Sequence, residues 1–319
     1  MNVLLRYFRL IFAFMGSVAF VQAAHTNQSE LRKIKMNLHS EKFGDKKNPA
    51  ILLNAGAGSQ MLFWPDAFCE QLAAKGYFVI RYDYRDTGLS ELIDYDKTPY
   101  NAMDLAHDAV GILQSYDVNK AHMIGFSMGG QVAQCLAAYL PESVRSLILM
   151  ATSLDFKPGF DALEGKPIEK GKLSQCDADY VLLVNTAHKQ KHLTQQQVYL
   201  QIWNMLDGSP LQFDESFYAD QYNQTQARAG NKSPYINHAK SMKASYEMHA
   251  QAPTFIACPT LILHGKKDPV FPLDHAQAMH TAIKNSELIL MDDFAHALSP
   301  RMFDRLVNEI DTFIKKQIV

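Results

Sequence analysis

The chain has 319 residues, of which 47% are hydrophobic and 20% are charged, and its formal net charge is −2. This is the composition of an ordinary globular protein with a sizeable core, and it excludes long disorder or a protein with many membrane spans. Because the charge is nearly balanced and no long run of Lys or Arg occurs, we expect no nucleic-acid partner.

The first 23 residues have the three-part order of a signal peptide. Arg6 and Arg9 precede an apolar run over 10–21, and cleavage after Ala23 would place Val21 and Ala23 at the positions that a signal peptidase inspects. An uncleaved N-terminal anchor is the alternative, which is disfavoured because the run is shorter than the ~18 residues that a spanning helix needs. We therefore expect export to the periplasm or the medium, without stable membrane association after cleavage.

Four cysteines follow this segment: Cys69, Cys135, Cys176 and Cys258. An oxidising compartment would permit three pairings, but the spacing follows no disulfide or metal framework. Cys135 lies in a predicted buried helix and Cys258 leads into a predicted buried strand. We therefore interpret the cysteines as free, small hydrophobic residues.

Short apolar runs alternate with amphipathic stretches through most of the remaining chain. Apolar residues recur at helical spacing over 103–113, and Thr98 and Pro99 are the predicted cap and first residue of that helix. Strands that alternate with helices predict a mostly parallel sheet with helices on both faces. The runs have the length and continuous hydrophobicity of strands covered on both faces, and they span 50–53, 77–82, 121–126, 146–150, 259–263 and 288–291.

The alternation is interrupted over 155–250, where no strand-like run occurs and aromatic-rich polar stretches predict helices. Strand-like segments resume at Pro259, so we predict a helical cap inserted into a core formed by residues 24–154 and 251–319. Most aromatic residues of the cap are expected to form its own small core, and about a third to face a binding pocket. The pocket candidates are Trp203, Phe213 and Phe217.

The segment Gly125-Phe126-Ser127-Met128-Gly129 lies between a strand-like run and a helix-like stretch over 131–140. Gly-x-Ser-x-Gly in this position is typical of a nucleophile elbow, because the glycines permit a sharp strand-to-helix turn that holds the serine in a strained conformation. The alternative is a glycine-rich turn that only packs a helix on a strand. We predict that Ser127 is a nucleophile activated by the helix N-terminus and by a nearby base.

The same fold logic predicts an acid after a later strand and a histidine after the last strand, in the chain order Ser, Asp, His. Asp268 lies in the turn that follows the run 259–263, and His296 lies in the loop after 288–291. We predict that Asp268 orients His296 and that His296 accepts the proton of Ser127 as general base.

Other histidines and acids compete with this pair. His264 lies at the end of its strand, where packing is the simpler role, and Asp292 is too close to His296 in the chain to reach round to it. His188 and His192 have a spacing that metals can use, but the charged residues between them favour a solvated helix face and no third ligand is evident. We therefore predict no metal and no other cofactor.

The loop from Asn54 to Ser59 is rich in small residues, and it matches a dinucleotide-binding loop only weakly. The third glycine of G-x-G-x-x-G would fall on Met61, where a bulky side chain would push helix from strand. A better role is the oxyanion hole, in which a backbone N–H of Gly56, or else of Ala57, joins that of Met128. Small residues allow the close backbone approach that this role requires.

With these motifs in place, the chain resembles the α/β-hydrolase superfamily over roughly its whole length after the leader. The segments 64–68, 81–90 and 296–298 look like the branch that includes the anthracycline methyl esterases. This resemblance implies a helical lid over the triad, an acyl-enzyme, and oxyanion donors at Gly56 and Met128. The chain has Asn54-Ala55 where many members have His-Gly, and its leader predicts export although that branch contains cytoplasmic biosynthetic enzymes.

We predict a serine esterase that cleaves a carboxylic ester of a hydrophobic small molecule through an acyl-enzyme. The same triad also serves cofactor-free perhydrolases or haloperoxidases, thioesterases, lactonases and carbon–carbon bond hydrolases, and a non-catalytic binding module of the same fold is a further alternative. The serine itself disfavours relatives with an aspartate nucleophile. We interpret the 85–90 segment as a braced turn rather than a substrate contact, and the oligomeric state stays open.

Overall fold

The computed structural model describes residues 36–229 and 235–317. The predicted signal peptide lies outside the described residues. The strands are β1 (Ser40–Phe43), β2 (Ala50–Asn54), β3 (Phe78–Tyr82), β4 (Ala121–Phe126), β5 (Val144–Met150), β6 (Thr260–Gly265) and β7 (Ser286–Met291). The α-helices are α1 (Asp66–Ala74), α2 (Ala102–Ser115), α3 (Met128–Tyr139), α4 (Lys157–Leu163), α5 (Ala178–Thr186), α6 (Gln195–Asp207), α7 (Glu215–Ala229), α8 (Tyr235–Ala244), α9 (Tyr246–Gln251), α10 (Leu273–Ala282) and α11 (Phe303–Lys316).

The described strands form one seven-stranded sheet in the order β1-β3-β2-β4-β5-β6-β7. Within it, β1 runs antiparallel to β3, and the other neighbouring strands are parallel. Every residue of β2, β3, β4 and β6 is buried, which requires cover on both faces. Helices provide that cover, with α1 packed against α11 and α2 packed against α3. The predicted α/β architecture is confirmed.

The structure differs from the sequence-based prediction at two elements. It adds β1, a partly exposed edge strand of four residues that lacks the apolar run expected of a buried strand. Helix α2 is capped by Asn101 and not by Thr98, so the predicted start of this helix is wrong. The Asn101 side chain accepts from the N–H of Met103, and the Asp104 carboxylate accepts from the N–H of Asn101, each at 2.8 Å. This reciprocal pair satisfies two donors of the first turn.

The interval between β5 and β6 contains helices α4 to α9 and no strand among its described residues. We call these helices the cap. Tyr218 lies at the centre of an aromatic stack within the cap, with the rings of Trp203 and Phe213 nearly parallel to it at 5.4 and 4.9 Å. Stacked rings of this kind bury a large apolar area, so they hold α6 against α7.

The parallel strands bring the loops after β2, β4, β6 and β7 to one edge of the sheet. The register places Asn54 beside Gly125 and Leu263 beside Ile289, at or near the carboxyl ends of their strands. In open α/β sheets this edge is the usual place for a binding site. Each sequence-predicted residue of the triad follows one of these strands.

The four cysteines are free, in agreement with the sequence-based interpretation. Burial raises the pKa of the Cys135 thiol to about 12 and that of Cys258 to about 11, so both thiols are neutral and poorly reactive at neutral pH.

None of the helices within residues 36–229 and 235–317 has the length and apolarity that a bilayer crossing requires.

Candidate active site

Ser127 occupies a strained turn between β4 and α3. Its backbone has φ 54° and ψ −121°, a conformation that L-residues rarely adopt. A Cβ on Gly125 would lie 2.3 Å from the carbonyl oxygen of Gly129, and a Cβ on Gly129 would lie 2.0 Å from that of Asn54. The Gly-x-Ser-x-Gly pattern therefore follows from close backbone packing around the turn.

The structure brings Ser127, His296 and Asp268 into one hydrogen-bonded chain. Nε2 of His296 lies 3.1 Å from Oγ of Ser127, and Nδ1 of the same ring lies 2.9 Å from Oδ2 of Asp268. The imidazole also packs edge-on against the rings of Phe126 and Phe271. With Asp268 accepting from Nδ1–H, Nε2 presents its lone pair to the serine hydroxyl, as a general base requires.

The Asp268 carboxylate is buried yet remains ionised. Burial alone would raise its pKa, but the charge of His296 and the hydrogen bond from its ring hold the pKa of Asp268 below its ordinary value. The backbone N–H groups of Val270 and Phe271 also donate to Oδ1, at 2.8 and 2.9 Å. Backbone donors of this kind stabilise the charged form and fix the orientation of the carboxylate.

The competing residues make no hydrogen bond to the triad, although Nε2 of His264 lies 4.0 Å from Oδ2 of Asp268. Nε2 of His264 donates to the carbonyl oxygen of Phe271 at 2.9 Å, and Asp292 is exposed, with an ion pair to Lys266 at 3.0 Å. Helix α5 ends before His188, and His192 lies in a turn beyond a 3-10 helix, so the predicted shared helix of these two residues is wrong. No cluster of three potential metal ligands occurs among the described residues.

The loop after β2 lies against the nucleophile. An added Cβ on Gly56 would lie 3.6 Å from Cβ of Ser127, an ordinary contact distance. Met128 is the first residue of α3, so its N–H has no acceptor within the helix. The structure thus places both sequence-predicted oxyanion donors, Gly56 and Met128, next to Ser127.

A cavity of about 360 Å³ opens above Ser127 between the core and the cap. Phe126 and Phe271 line it from the core, and Phe160 and Trp203 line it from the cap. The described residues around this cavity include no Asp, Glu, Lys or Arg. Its size lies within the range of small-molecule sites, and its wall offers apolar contact with few polar groups.

One of the three predicted pocket residues lines this cavity. Trp203 does, whereas Phe213 and Phe217 are not among the lining residues. The rings of Phe213 and Phe217 instead contact Tyr218, at 4.9 and 5.0 Å, and so belong to the core of the cap. Aromatic content alone does not distinguish these two positions, because both faces of a cap helix can bury aromatic rings.

An ion pair between the cap and the histidine loop, with its carboxylate buried and its guanidinium partly exposed, was not evident from the sequence. Nη1 of Arg301 lies 2.7 Å from the carboxylate of Asp207, and Nη2 donates to the carbonyl oxygens of Asp207 and Asp293. The Asp207 side chain is completely buried at the end of α6. Arg301 therefore links α6 to both sides of the loop that holds His296.

The segment 85–90 is braced by ion pairs and hydrogen bonds. The guanidinium of Arg85 makes two parallel contacts with the Asp108 carboxylate, at 2.7 and 2.8 Å. Asp86 accepts from the hydroxyl of Tyr100 at 2.8 Å and from the side chain of Asn237 in the cap at 3.0 Å. None of the segment's residues is among those that line the cavity, which agrees with a structural role.

Comparison with known proteins gives consistent matches. A family profile described as alpha/beta hydrolase fold matches residues 48–300. The chain is 32% identical over 275 residues to rhodomycin D methylesterase DauP of Streptomyces sp. (strain C5). The aligned region covers 84% of this chain and 91% of that protein. The chain is also 31% identical over 271 residues to rhodomycin D methylesterase DnrP of Streptomyces peucetius, and this aligned region covers 83% of this chain and 90% of that protein.

Solved structures match the fold at lower sequence identity. An esterase from Exiguobacterium antarcticum superposes with a TM-score of 0.65 at 20% identity, covering 88% of this chain and 96% of that one. The 2-hydroxy-6-oxo-6-phenylhexa-2,4-dienoate hydrolase from Rhodococcus sp. strain RHA1 superposes with a TM-score of 0.69 at 20% identity, with the same coverage of 88% and 96%. At this identity the likeness shows the fold alone.

Proposed function

This chain belongs to the α/β-hydrolase family, in the branch of the anthracycline methylesterases, and we propose that it is a serine esterase acting on uncharged, apolar carboxylic esters. The observation that carries the proposal is the hydrogen-bonded chain of Ser127, His296 and Asp268 at the base of a cavity without charged side chains. The same hydrogen-bonded arrangement, in which the base lies between the nucleophile and the acid, performs acyl transfer in unrelated folds as well.

Acylation begins when Oγ of Ser127 attacks the ester carbonyl carbon while Nε2 of His296 takes the hydroxyl proton. The carbonyl oxygen becomes negative, and the N–H groups of Gly56 and Met128 donate to it. Collapse of the tetrahedral intermediate breaks the bond to the alcohol oxygen. His296 returns its proton to that oxygen, so the alcohol leaves neutral and an ester remains on Ser127.

Deacylation repeats these steps with water. His296 takes a proton from the water molecule, the hydroxide attacks the acyl carbon, and the second tetrahedral intermediate expels Oγ of Ser127. The proton on His296 returns to the serine, and the carboxylic acid is released. Asp268, ionised throughout, stabilises the imidazolium that forms in both halves of the reaction.

The wall of the cavity supports the uncharged, apolar substrate. A carboxylate or ammonium on the substrate would lose its hydration in a cavity of this kind without gaining an opposite charge, which costs several kcal/mol. Tyr235 lines the cavity and is 46% exposed, which places it at the mouth. The relatives DauP and DnrP are methylesterases by name, which supports an ester of a small alcohol as the bond that is cleaved.

Hydrolysis of p-nitrophenyl esters by the purified chain tests this proposal. We expect turnover and covalent labelling of Ser127 by a fluorophosphonate, and the loss of both in Ser127→Ala and His296→Ala, with Ser115→Ala as the control serine. Thioester, lactone and peroxide assays on the same preparation separate the alternative reactions of this fold. Undiminished ester hydrolysis in Ser127→Ala would contradict the proposal.

We also propose that the chain is exported. The support is the order of Arg6, Arg9, the apolar run and Ala23 in the sequence. Expression of the full chain in a Gram-negative host, followed by fractionation and N-terminal mass analysis, is expected to give a periplasmic product that begins at residue 24. A cytoplasmic product with an intact N-terminus would contradict export.

A further inference from the structure

His238, a buried residue of the cap, binds the loop that carries the proposed oxyanion donor. Its Nδ1 accepts the backbone N–H of Gly58 at 3.0 Å, and its Nε2 lies 3.0 Å from the carbonyl oxygen of Arg85. We propose that His238 is a positioning residue for the oxyanion hole, which it shapes by fixing the turn from Gly56 to Ser59. This role rests on the esterase function proposed above.

The two hydrogen bonds determine the state of the ring. A backbone N–H can only donate, so Nδ1 must carry a lone pair, and a carbonyl oxygen can only accept, so Nε2 must carry the proton. Burial lowers the pKa of His238 to about 4, which keeps the ring in this neutral form at neutral pH. The rings of Tyr84 and Tyr100 pack edge-on against it, at 5.7 and 6.5 Å, and limit its rotation.

The turn is short, so its parts move together. The N–H of Ser59 donates to the carbonyl oxygen of Gly56 at 3.2 Å, which closes the turn. Gly58 has φ +71°, and a Cβ there would lie 3.2 Å from Cβ of Tyr235, in the first turn of the helix that carries His238. Helix α8 therefore touches the turn at Gly58, two residues from Gly56, where an added Cβ would lie 3.6 Å from Cβ of Ser127.

A displaced oxyanion donor affects the transition state more than the bound substrate. The donor must lie 2.7–3.1 Å from the position that the developing oxyanion takes, and loss of one donor typically lowers kcat by about 100- to 1,000-fold. Release of Gly58 would move the Gly56 N–H without removing it, so the effect is smaller. We therefore expect a fall in kcat with little change in KM.

Two amide variants separate the hydrogen bonds. Asn places its amide where Nδ1 lies and keeps an acceptor for Gly58, whereas Gln reaches the position of Nε2 and keeps a donor for Arg85. His238→Gln is expected to lower kcat for p-nitrophenyl butyrate about tenfold with KM within about twofold, and His238→Asn to retain kcat within about threefold. The Ki of a trifluoromethyl ketone analogue should rise in step with the fall in kcat/KM across the variants.

Asn237→Ala provides the control for docking of α8. Asn237 precedes His238 and donates from Nδ2 to Asp86 and to the carbonyl oxygen of Ile93, at 3.0 and 3.3 Å. Its loss is expected to lower the melting temperature without lowering kcat. Equal kcat in His238→Gln and wild type, or an equal fall in His238→Asn and His238→Gln, would overturn the positioning role and leave the esterase function intact.

Two further results are decisive. If wild type hydrolyses no ester and Ser127 is not labelled, the proposed function fails and the role of His238 fails with it. If His238→Gln does not fold, the ¹⁵N-labelled wild type provides the test: the Gly58 amide and His238 Nε2–H signals should shift when the trifluoromethyl ketone binds. Unchanged signals on saturation would overturn the role.

Discussion

The backbone N–H of His296 donates to the carbonyl oxygen of Leu206 at 2.8 Å. Leu206 lies in the last turn of α6, so a helix of the cap holds the loop of the general base. Next to this contact, a Cβ on Gly208 would lie 2.6 Å from Cβ of Ala295, which shows how closely the two segments approach. The cap therefore bears on the position of His296 as well as on the shape of the cavity.

Removal of the Asp207 carboxylate should loosen this contact. In Asp207→Ala the guanidinium of Arg301, 21% exposed in the native chain, loses its buried partner. We expect the free energy of unfolding to fall by about 3 kcal/mol and kcat to fall with it. Urea unfolding and steady-state kinetics measure both. The matched control is Asp293→Ala, which breaks the exposed ion pair with Arg305 and should lower the free energy of unfolding by at most about 1 kcal/mol. An equal loss of unfolding free energy in the two variants would contradict this prediction.

Gly129→Ala tests the close packing beneath the nucleophile. The new Cβ would lie 2.0 Å from the carbonyl oxygen of Asn54, so the backbone of the turn must shift. We expect kcat/KM to fall at least about 100-fold, because misplacement of the reacting groups by about 1 Å has that effect. Gly111→Ala, in α2 where the new Cβ would meet open space, should instead stabilise the chain by about 0.5–1 kcal/mol. Full activity in Gly129→Ala would contradict the packing argument.

Trp203→Ala should change which esters fit the cavity. The indole lines the cavity wall, and its removal makes room for a longer acyl chain. We expect the ratio of kcat/KM for p-nitrophenyl octanoate over butyrate to rise about tenfold. Phe213→Ala removes a ring from the same stack without opening the cavity, so it should lower stability and leave the ratio unchanged. A rise in both variants would show that the effect comes from a loosened cap.

Buried histidines should make the chain less stable in mild acid. Burial lowers the pKa of His122 to about 4, whereas an unfolded histidine has a pKa near 6.5. Between these values the unfolded chain binds the extra proton, so the free energy of unfolding falls as the pH falls, by about 1.4 kcal/mol per pH unit for each such histidine. The same direction applies to His238, His249 and His275.

His122→Asn isolates one of these contributions. Asn retains a partner for Ser146, whose Oγ lies 2.8 Å from Nδ1 of His122, but cannot titrate in this range. We expect the slope of unfolding free energy against pH, measured with urea from pH 4.5 to 6, to drop by about 1.4 kcal/mol per pH unit. His192→Asn, in an exposed turn, serves as the control. An unchanged slope in His122→Asn would contradict the assignment.

Local patterns account for the parts of the fold that the sequence predicts well. Continuous apolar runs identify strands that are buried on both faces, and Gly-x-Ser-x-Gly marks the turn at Ser127 because the residues that the turn requires lie within five consecutive positions. The edge strand β1 has one partly covered face and no such run, so the same criterion misses it. The start of α2 is predicted wrongly because Asn101 and Asp104, and not the expected Thr98, make the hydrogen bonds to the backbone of its first turn.

Contacts between distant parts of the chain could not be predicted in this way. Arg301 meets Asp207 across 94 residues, and His238 meets Gly58 across 180. Neither pair belongs to a motif, and a histidine within a polar helix has no feature that identifies its partner. The exclusion of Phe213 from the cavity has the same origin, because the face that a ring occupies depends on how the helices of the cap pack.

The attachment of α6 and α8 to the catalytic loops has a consequence for the evolution of selectivity. Substitutions that move either helix also move His296 or the turn of Gly58. Selection for turnover therefore limits which substitutions α6 and α8 accept. Leu163 in α4 and Val184 in α5 line the cavity from other helices. A combinatorial library at these two positions is the most economical route to new substrates, because it reshapes the wall while the attachments at Leu206 and His238 remain intact.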